Sequence, residues 1–392
     1  MANRGDVNSL KQCVQDEVDR LVPDLLATSR FLHSNPELAY EEHKAAEHLA
    51  AVLERHGFTV TRGAADLPTA FIGRTGSGNP RIAFLAEYDA LPGIGHACGH
   101  NLIGTASLGA ALAVKAVLGK LPGEILLVGC PAEEKGGGKI DLAKAGVFTG
   151  VDAAMLFHPS NRTEIVKLAL GMREMTVEYF GKASHAAASP EQGINALDAV
   201  VLAYTGIGAL RQQVRSDARI HGIITDGGRA PNIIPEYAAA RFYVRALDLP
   251  YLGELYRRVI ACVEAAAQAT GCRVKITSAS KDYHPYKPVY ALAELFQRNL
   301  ERLGESVDQG PVDRELGSTD VGNVSQLVPT IQPMLEISPR EVTCHMVAFA
   351  EAAASDTGHR AMLSAAKAMA MTAVDLLAEP ATLARVAAEF RG

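Results

Sequence analysis

One stretch, IAFLAEYDALPGIGHACGHN, constrains this chain more than any other, because a short apolar run ends abruptly in acidic residues, turn residues and a Cys-x-His pair. The run at 82–86 predicts a buried strand, and Glu87 and Asp89 follow it directly. Cys98 and His100 then precede a helical run of small residues. Titratable groups at the carboxyl end of a parallel strand lie where open α/β sheets place their sites. A thiolate beside an imidazole suits a divalent transition metal.

The order of apolar segments around this stretch predicts an α/β fold, with a mainly parallel sheet flanked by helices. The second predicted helix, 35–57, is expected to begin with Asn35 as its cap and Pro36 at its first helical position. Gly57 is expected to end it. The predicted strands of this part are 58–62, 70–74, 81–86, 124–130 and 153–157, and its other helices are 16–33, 102–119 and 139–146.

The pattern changes near Gly171, where a β-α-β-β-α-β order begins. Its predicted elements are strand 173–180, helix 193–213, strand 219–226, strand 236–245, helix 251–269 and strand 272–279. This order is the split βαβ, or ferredoxin-like, arrangement. We therefore expect 171–282 to be inserted into a domain made of 1–170 and 283–392. Helix 290–304, strands near 317 and at 329–337, and a helix at about 358–377 are predicted to complete that domain.

Composition excludes several classes of function. The net charge of −6 without a Lys/Arg run argues against nucleic acid or an anionic membrane as partner. The first twenty residues contain no apolar signal-peptide core, and no uncharged apolar stretch is long enough to cross a bilayer. The six cysteines lack disulfide-framework spacing, so a reducing, cytoplasmic location is expected.

Four groups of polar residues fall at predicted strand ends of the same sheet: Cys98 with His100, Glu133 with Glu134, His158, and His345. Each has an ordinary structural explanation when taken singly, such as a buried thiol or a satisfied core histidine. Together they offer more ligands than one tetrahedral ion needs, which predicts two ions roughly 4 Å apart. One carboxylate of the Glu-Glu pair would bind metal, and the other would take a proton from water.

Three residues of the insert are further candidates. His185 lies among small residues on a predicted loop, from which it could reach a neighbouring site, although a surface imidazole is the commoner outcome. Asn232 and Arg245 could together hold a substrate carboxylate, because arginine binds carboxylates through two parallel hydrogen bonds. Asn232 is equally explained as a turn residue. No role follows from the pattern for Asp320 and Asn323.

With these residues together, the chain resembles the aminoacylase and glutamate-carboxypeptidase superfamily of two-metal peptidases. Within it, the chain is similar to the amidohydrolase branch, in particular to hydrolases of the p-aminobenzoyl-glutamate type and to β-alanyl-lysine-type dipeptidases. The motifs that carry the resemblance span nearly the whole chain: NPELAYEE, EYDALPGIGHACGHN, PAEEKGGGK, FHP, GKASHAAASPEQGINALDAV, APNIIPE and CHMVAF.

The resemblance implies a role for each candidate. It implies five metal ligands, namely Cys98, His100, Glu134, His158 and His345. It implies Glu133 as general base and Asp89 as a residue that orients a ligand. His185, on a lid that also forms a dimer, would stabilise the oxyanion at the other subunit's site, while Asn232 and Arg245 would hold the substrate carboxylate. His359 is a rival to His345, which is preferred for its His-x-x-x-Phe context.

Two residues depart from the family pattern. Glu87 stands where distant peptidases carry the histidine of a His-x-Asp motif, and Asn101 stands where many amidohydrolases have aspartate. The expected protein is a cytoplasmic, homodimeric amidohydrolase with two divalent ions, Zn or Mn with Co as an option. Its substrates would be N-acyl amino acids or dipeptide-like molecules with a free carboxylate, such as p-aminobenzoyl-glutamate. The alternatives are a strict dipeptidase that needs a free amino group and a non-catalytic metal-binding subunit.

Overall fold

The structure, a computed structural model, describes residues 4–392. The elements before the insert are α1 (Arg4–Ser34), α2 (His43–Arg55), β1 (Thr59–Arg62), β2 (Phe71–Ser77), β3 (Arg81–Glu87), α3 (His100–Lys115), β4 (Gly123–Cys130), α4 (Gly138–Lys144), β5 (Ala153–Met155) and β6 (His158–Ser160). Those of the insert are β7 (Gly171–Phe180), α5 (Ala196–Leu210), β8 (Arg219–Asp226), β9 (Tyr237–Ala246), α6 (Leu249–Thr270) and β10 (Arg273–Ser278). The remaining elements are α7 (Tyr290–Arg302), α8 (Val321–Ser325), β11 (Thr330–Ile331), β12 (Met334–Glu336), α9 (Val347–Ala353), α10 (Asp356–Ala378) and α11 (Pro380–Arg391).

The chain forms two compact units. The first unit comprises the described residues through Leu168 together with Lys287–Gly392, and the inserted unit is Ala169–Tyr286. The inserted unit ends four residues beyond the expected 282. Residues 283–286 belong to it because Tyr283 pairs with Met172, and the backbone N–H of Tyr286 donates to Ala169 O at 3.0 Å.

The first unit contains a six-stranded sheet in the order β1-β2-β4-β3-β5-β11. Strands β4, β3, β5 and β11 are parallel, and β2 and β1 extend the sheet in antiparallel fashion, so the predicted mainly parallel α/β fold is confirmed. Strand β4 lies between β2 and β3, which are therefore not paired with each other. Because Glu87 pairs with Cys130 at the ends of β3 and β4, the loops that follow both strands leave the same edge of the sheet.

Two further features bring residues to this edge. Strands β6 and β12 form a separate parallel pair, in which His158 lies opposite Met334. Helix α3 is buried along nearly its whole length and packs against α1, α10 and β3, which explains its run of small and apolar residues. Helix α3 begins at His100, so a histidine lies at the first turn of a core helix.

The prediction that the second helix begins at Asn35 is wrong, because α2 begins only at His43. Residues 35–42 form a loop, where the backbone O of Glu37 accepts from Ala90 N at 2.8 Å. The Glu37 carboxylate accepts from the backbone N–H of Lys44 and Ala45, so it caps α2 from outside the helix. Tertiary contacts therefore override the local Asn-Pro signal. At the other end, Gly57 has φ +73°, the left-handed conformation expected after a helix.

The inserted unit is a four-stranded antiparallel sheet in the order β10-β7-β9-β8 with two helices, which confirms the predicted β-α-β-β-α-β order. Its core is a cluster of apolar side chains between the sheet and α5 and α6, including Val177, Phe242 and Leu255. Strand β8 forms one edge of the sheet, and most of its residues are exposed.

Two features of the C-terminal part differ from expectation. The strand predicted near 317 is absent from the described chain: this segment is irregular and leads into α8, whose preceding residue Asp320 is fully buried. Helix α9 and helix α11, which begins at Pro380, were not predicted. Among the described residues, α10 alone is long and apolar enough to cross a membrane. Most of it is buried inside the protein, as in the core helix of a globular fold.

Candidate metal centre

Six of the predicted site residues converge at the carboxyl edge of the first unit's sheet. They form three overlapping groups in which the potential ligand atoms all lie within 4.8 Å of one another. The groups are Cys98 with His100 and His158, Cys98 with Glu134 and His345, and His100 with Glu133 and Glu134. Cys98, His100 and Glu134 each belong to two of the three groups, so the groups form one connected ligand cluster that could hold more than one ion.

The loop before α3 positions Cys98 and His100. Gly99, between them, has φ +77°, and a Cβ there would lie 2.7 Å from Pro159, so only glycine fits this close approach. The Cys98 Sγ lies 3.4 Å from Nε2 of His158. The His100 Nδ1 lies 2.8 Å from Oδ1 of Asp89, which fixes the ring and leaves Nε2 directed at the cluster. Asp89 therefore has the orienting contact that the resemblance implied for it.

Glu133 and Glu134 lie on the loop between β4 and α4, and they face different neighbours. The Glu134 Oε2 lies 3.3 Å from Nε2 of His345, and Glu134 Oε1 lies 3.8 Å from Nε2 of His100. The backbone N–H of Glu134 donates to Asp89 Oδ2 at 2.9 Å, so Asp89 orients both a histidine and this loop. The Glu133 Oε2 lies 3.9 Å from the same His100 nitrogen.

The two glutamates also differ in proton affinity. Burial raises the pKa of Glu133 well above its ordinary value, and the nearby carboxylates of Glu87 and Asp320 raise it further. Burial also acts to raise the pKa of Glu134, but the hydrogen bond from His345 and the charge of His100 outweigh it and lower that pKa. A pair of carboxyl groups whose pKa values are pushed apart suits one group to proton transfer and the other to ligation.

The donor set fits divalent metal. Two ligands that each lie about 2.0–2.3 Å from one tetrahedral ion are separated by about 3.3–3.8 Å, which is the spacing of the Cys98–His158 and Glu134–His345 pairs. The His100 Nε2 and Glu134 Oε1 are buried and have no hydrogen-bond partner among the described residues. Buried polar atoms without partners are costly unless something else binds them. Thiolate, imidazole and carboxylate together suit Zn and its neighbours.

His359, the rival to His345, belongs to none of these groups in the described chain. It lies in the first turn of α10, buried beside the N-terminal cap of that helix. His345, by contrast, is held in the site by its backbone: its N–H donates to Ala97 O at 2.8 Å, next to Cys98, and its φ is +70°.

The three candidates of the inserted unit do not form one group within that unit. Asn232 lies beside His185, since its backbone O accepts from Ala186 N at 3.0 Å and Ile233 pairs with His185. Arg245 lies near the far end of β9, eight residues beyond Tyr237, which corresponds to about 26 Å along a strand. Most of β9 therefore lies between Asn232 and Arg245 within a single chain, and their shared role at one substrate carboxylate stays a prediction.

The sequence did not reveal a second layer of charge behind the ligands. The ammonium of Lys139 lies 2.6 Å from Glu87 Oε1 and 2.6 Å from Asp320 Oδ1, and all three side chains are fully buried. The available signals were the polar residue at the end of β3 and the lysine that closes the PAEEKGGGK motif. Neither signal could indicate that these two residues meet Asp320, which lies 181 residues beyond the lysine.

Comparison with known proteins agrees with this geometry. The protein-family model described as Peptidase family M20/M25/M40 matches residues 83–368. The chain belongs to this family. It is 41% identical to the Xaa-Arg dipeptidase of Mus musculus over 100% of this chain and 94% of that protein. It is 32% identical to a p-aminobenzoyl-glutamate hydrolase subunit of Escherichia coli (strain K12), over 94% of this chain and 93% of that protein.

A solved structure shares the fold. A dinuclear metal binding peptidase of the M20 family from Bacillus subtilis superposes with a TM-score of 0.73 at 19% identity, over 92% of this chain and 99% of that chain. The family membership, with the glutamate pair beside the ligand cluster, identifies the protein as a metal-dependent amide hydrolase. The alternative of a non-catalytic subunit is set aside on the same grounds.

Proposed function

We propose that this amidohydrolase cleaves the amide bond of N-acyl amino acids or dipeptide-like molecules that carry a free carboxylate. The proposal rests on one observation, the pair Glu133 and Glu134. Both side chains belong to the same ligand cluster, but the pKa of Glu133 is raised and the pKa of Glu134 is lowered. Cys98, His100, Glu134, His158 and His345 would hold two divalent ions, Zn or Mn, with Co as an option. Such ions, when bound, supply Lewis-acid polarisation of the scissile carbonyl.

The chain's own residues perform the proton transfers. Glu133, with its raised pKa, takes a proton from the attacking water and passes it to the leaving amine. His185 is suited to hydrogen-bond the developing oxyanion: its Nδ1 accepts from the backbone N–H groups of Ala187 and Ala188, so its Nε2 carries the proton and can donate it. We propose that His185 and its neighbour Asn232 act at the site of a second subunit, while Arg245 binds the substrate carboxylate.

Exposed apolar residues of the inserted unit support a homodimer. Strand β8 is an unpaired sheet edge, and it exposes Ile223 and Ile224. Helix α5 exposes Val201 and Leu202. An exposed edge with apolar side chains is a ready template for pairing with another chain. The six cysteines are free thiols, which supports a cytoplasmic location, and the mild negative charge supports small-molecule substrates rather than nucleic acid or membrane.

The second candidate function is a strict dipeptidase. The 41% identity to an Xaa-Arg dipeptidase over the whole chain favours it. The two candidates differ in whether the substrate must carry a free amino group. A dipeptide ending in arginine and its N-acetyl derivative form a matched pair of substrates. Preference for the free dipeptide supports a dipeptidase, and cleavage of the acetylated form or of p-aminobenzoyl-glutamate supports the broader amidohydrolase.

The decisive experiment compares two neighbouring substitutions. In Glu133→Gln, we expect turnover to fall by about 10²–10⁴-fold while two ions per chain are retained, because the general base is lost but the ligands remain. In Glu134→Gln, we expect metal content itself to fall. Metal per chain is measured by elemental analysis, and turnover on the substrate panel with Zn, Mn and Co. Wild-type turnover by the Glu133 variant would refute the assigned base.

A further inference from the structure

The loop that carries both glutamates is held in place along its length. This catalytic loop, residues 131–138, has Ala132 at φ +59°, in the left-handed region that is unfavourable for a side chain. A buried carboxylate oxygen of Glu42 accepts from the backbone N–H of Ala132 at 2.8 Å. The phenol of Tyr40 donates to the backbone O of Gly136 at 2.8 Å. A loop in such a conformation persists only when its surroundings determine it.

The far end of the loop is held by ions rather than by neutral groups. Lys139, in the first turn of α4, places its ammonium between Glu87 and Asp320, at 2.6 Å from each. Asp320 also accepts a hydrogen bond from the backbone N–H of Lys139 at 2.9 Å. One carboxylate therefore binds both the side chain and the main chain of Lys139. We call these three residues the buried ion triad.

Stability alone does not explain the buried ion triad. Replacing a buried ion pair by apolar residues of similar volume is often neutral or stabilising, so such a pair is weak evidence for a stabilising role. Its position suggests another role. The second oxygen of Glu87, Oε2, lies 3.6 Å from the ligand nitrogen of His100, so the triad extends from the catalytic loop to the metal-ligand cluster.

We infer that Lys139 is a positioning residue, whose ion pairs with Glu87 and Asp320 fix the catalytic loop so that Glu133 and Glu134 face His100. The expected change in kcat rests on the proposed function. The expected change in the mobility of the loop does not depend on it. Glu87 attaches the loop to the end of β3, and Asp320 attaches it to the segment before α8.

The test is Lys139→Met, which removes the charge and keeps most of the side-chain volume. We expect hydrogen exchange to speed up in peptides covering 131–139 and metal affinity to fall by roughly 10–100-fold, the cost of losing support behind metal ligands. At saturating metal, kcat should fall by about 10²-fold, since a shift of about 1 Å in a catalytic group can cost that much. KM should change by less than about threefold, because Lys139 is not placed to contact substrate.

The chain offers a matched control, because Lys11 of α1 forms another buried pair, with Asp375 at 2.6 Å. Lys11→Met should lower the melting temperature but leave metal affinity, kcat and exchange in 131–139 at wild-type values. Equal losses at the site in both variants would overturn the inference, as would unchanged exchange and metal affinity in Lys139→Met. If wild-type protein hydrolyses no substrate, the proposed function fails, while exchange and metal titration still decide the positioning role.

A second variant covers the case in which Lys139→Met does not fold. The uncharged triple variant Glu87→Gln/Lys139→Met/Asp320→Asn leaves no unpaired buried charge, so it should fold. We expect the same losses of metal affinity and kcat, because the ammonium that joins the loop to β3 and to the segment before α8 is still missing. Recovery of wild-type kcat in this folded variant would show that the triad serves stability only, and would overturn the inference.

Discussion

The interiors of the two units differ in kind. In the first unit, charged side chains are buried at the carboxyl edge of the sheet, among them Glu87, Asp89, Lys139 and Asp320. In the inserted unit, none of the described residues 169–286 is a buried charged side chain, and the core consists of apolar side chains with a few tyrosines and one cysteine. A parallel sheet covered on both faces excludes water from its strand ends, whereas an antiparallel sheet with helices on one face can leave the other face in water.

From this difference we assign metal binding to the first unit and association between subunits to the surface of the inserted unit. Desolvation shifts pKa values only where ionisable groups are buried, and the opposite pKa shifts of Glu133 and Glu134 occur in the first unit. The inserted unit instead exposes apolar residues, such as Ile224 on the edge strand β8. We therefore expect substitutions among the buried polar residues of the first unit to change metal binding, and substitutions on the exposed apolar surface of the inserted unit to change assembly.

The strongest test of this contrast replaces one buried cysteine in each unit. Cys98 belongs to two of the three ligand groups, so Cys98→Ser should weaken both of these groups. Loss of a residue that only hydrogen-bonds to a metal ligand lowers metal affinity by roughly 10–100-fold. We expect the loss of the Cys98 ligand itself to lower metal affinity by more than this and to lower turnover in parallel. Metal per chain and turnover are measured over a titration of added metal.

Cys272→Ser is the matched control, because Cys272 is buried in the core of the inserted unit. It should lower stability slightly while metal content remains that of the wild type. Two bound ions in Cys98→Ser, or metal loss in Cys272→Ser, would break the proposed division between the units.

The contrast was only partly visible in the sequence. The ligands could be predicted because Cys98, Glu134 and His158 each follow a short apolar run, and the carboxyl ends of parallel strands share one edge. Lys139 and Asp320 could not be paired in advance, because local patterns carry no information on contacts 181 residues apart. A lysine after three glycines has the pattern of a solvated loop, yet it is fully buried.

Two regions show how tertiary structure changes what local sequence patterns predict. The Asn35-Pro36 signal for a helix start failed because Glu37 makes contacts with the strand-end loop at Ala90 and caps α2 from a distance. Asn232 and Arg245 are close in sequence, but most of β9 lies between them and keeps them apart within one chain, so their joint role at a substrate carboxylate stays a prediction. The order of elements was predictable in both regions, while their exact ends depended on side chains from elsewhere.

The next test concerns the surface of the inserted unit. Ile224→Lys places a charge on the exposed edge strand β8, where 46% of the isoleucine is accessible. If β8 pairs with a second copy, we expect the dimer dissociation constant to rise by at least about 30-fold, which corresponds to about 2 kcal/mol for a central interface residue. Sedimentation velocity over a range of concentrations measures it, and metal content should not change.

The control for this substitution is Leu327→Lys, at a similarly exposed apolar residue of the first unit. It should leave the oligomeric state unaltered. A wild-type protein that sediments as a monomer at all concentrations would refute the proposed dimer, and dissociation caused equally by both substitutions would remove the special role of β8.

The smallest expected effect concerns a buried histidine of the first unit, His96, compared with an exposed histidine of the inserted unit, His221. Burial, reinforced by the charge of His100, lowers the pKa of His96 to about 3. Its Nε2 lies 3.0 Å from the backbone O of Leu32 and, because that oxygen can only accept, carries the proton. The unfolded chain takes up a proton near pH 6.5, whereas the folded protein does not until about pH 3. Stability from His96 is therefore complete above pH 6.5 and falls as the pH decreases below that value.

Between pH 7 and pH 5 this one residue should cost the wild type about 2 kcal/mol of unfolding free energy, at about 1.4 kcal/mol per pH unit below 6.5. His96→Gln should lose that much less over the same interval, since glutamine does not titrate but can still donate to Leu32 O. Urea unfolding in the presence of chelator, with all variants metal-free, measures the difference. Partial burial also lowers the pKa of His221, an exposed histidine of the inserted unit, but less than that of His96, so His221→Gln should depart from the wild-type pH dependence by much less than His96→Gln. If His96→Gln and the wild type lose stability equally on acidification, then His96 is protonated in the folded protein, and the contrast between buried and exposed histidines does not hold at this residue.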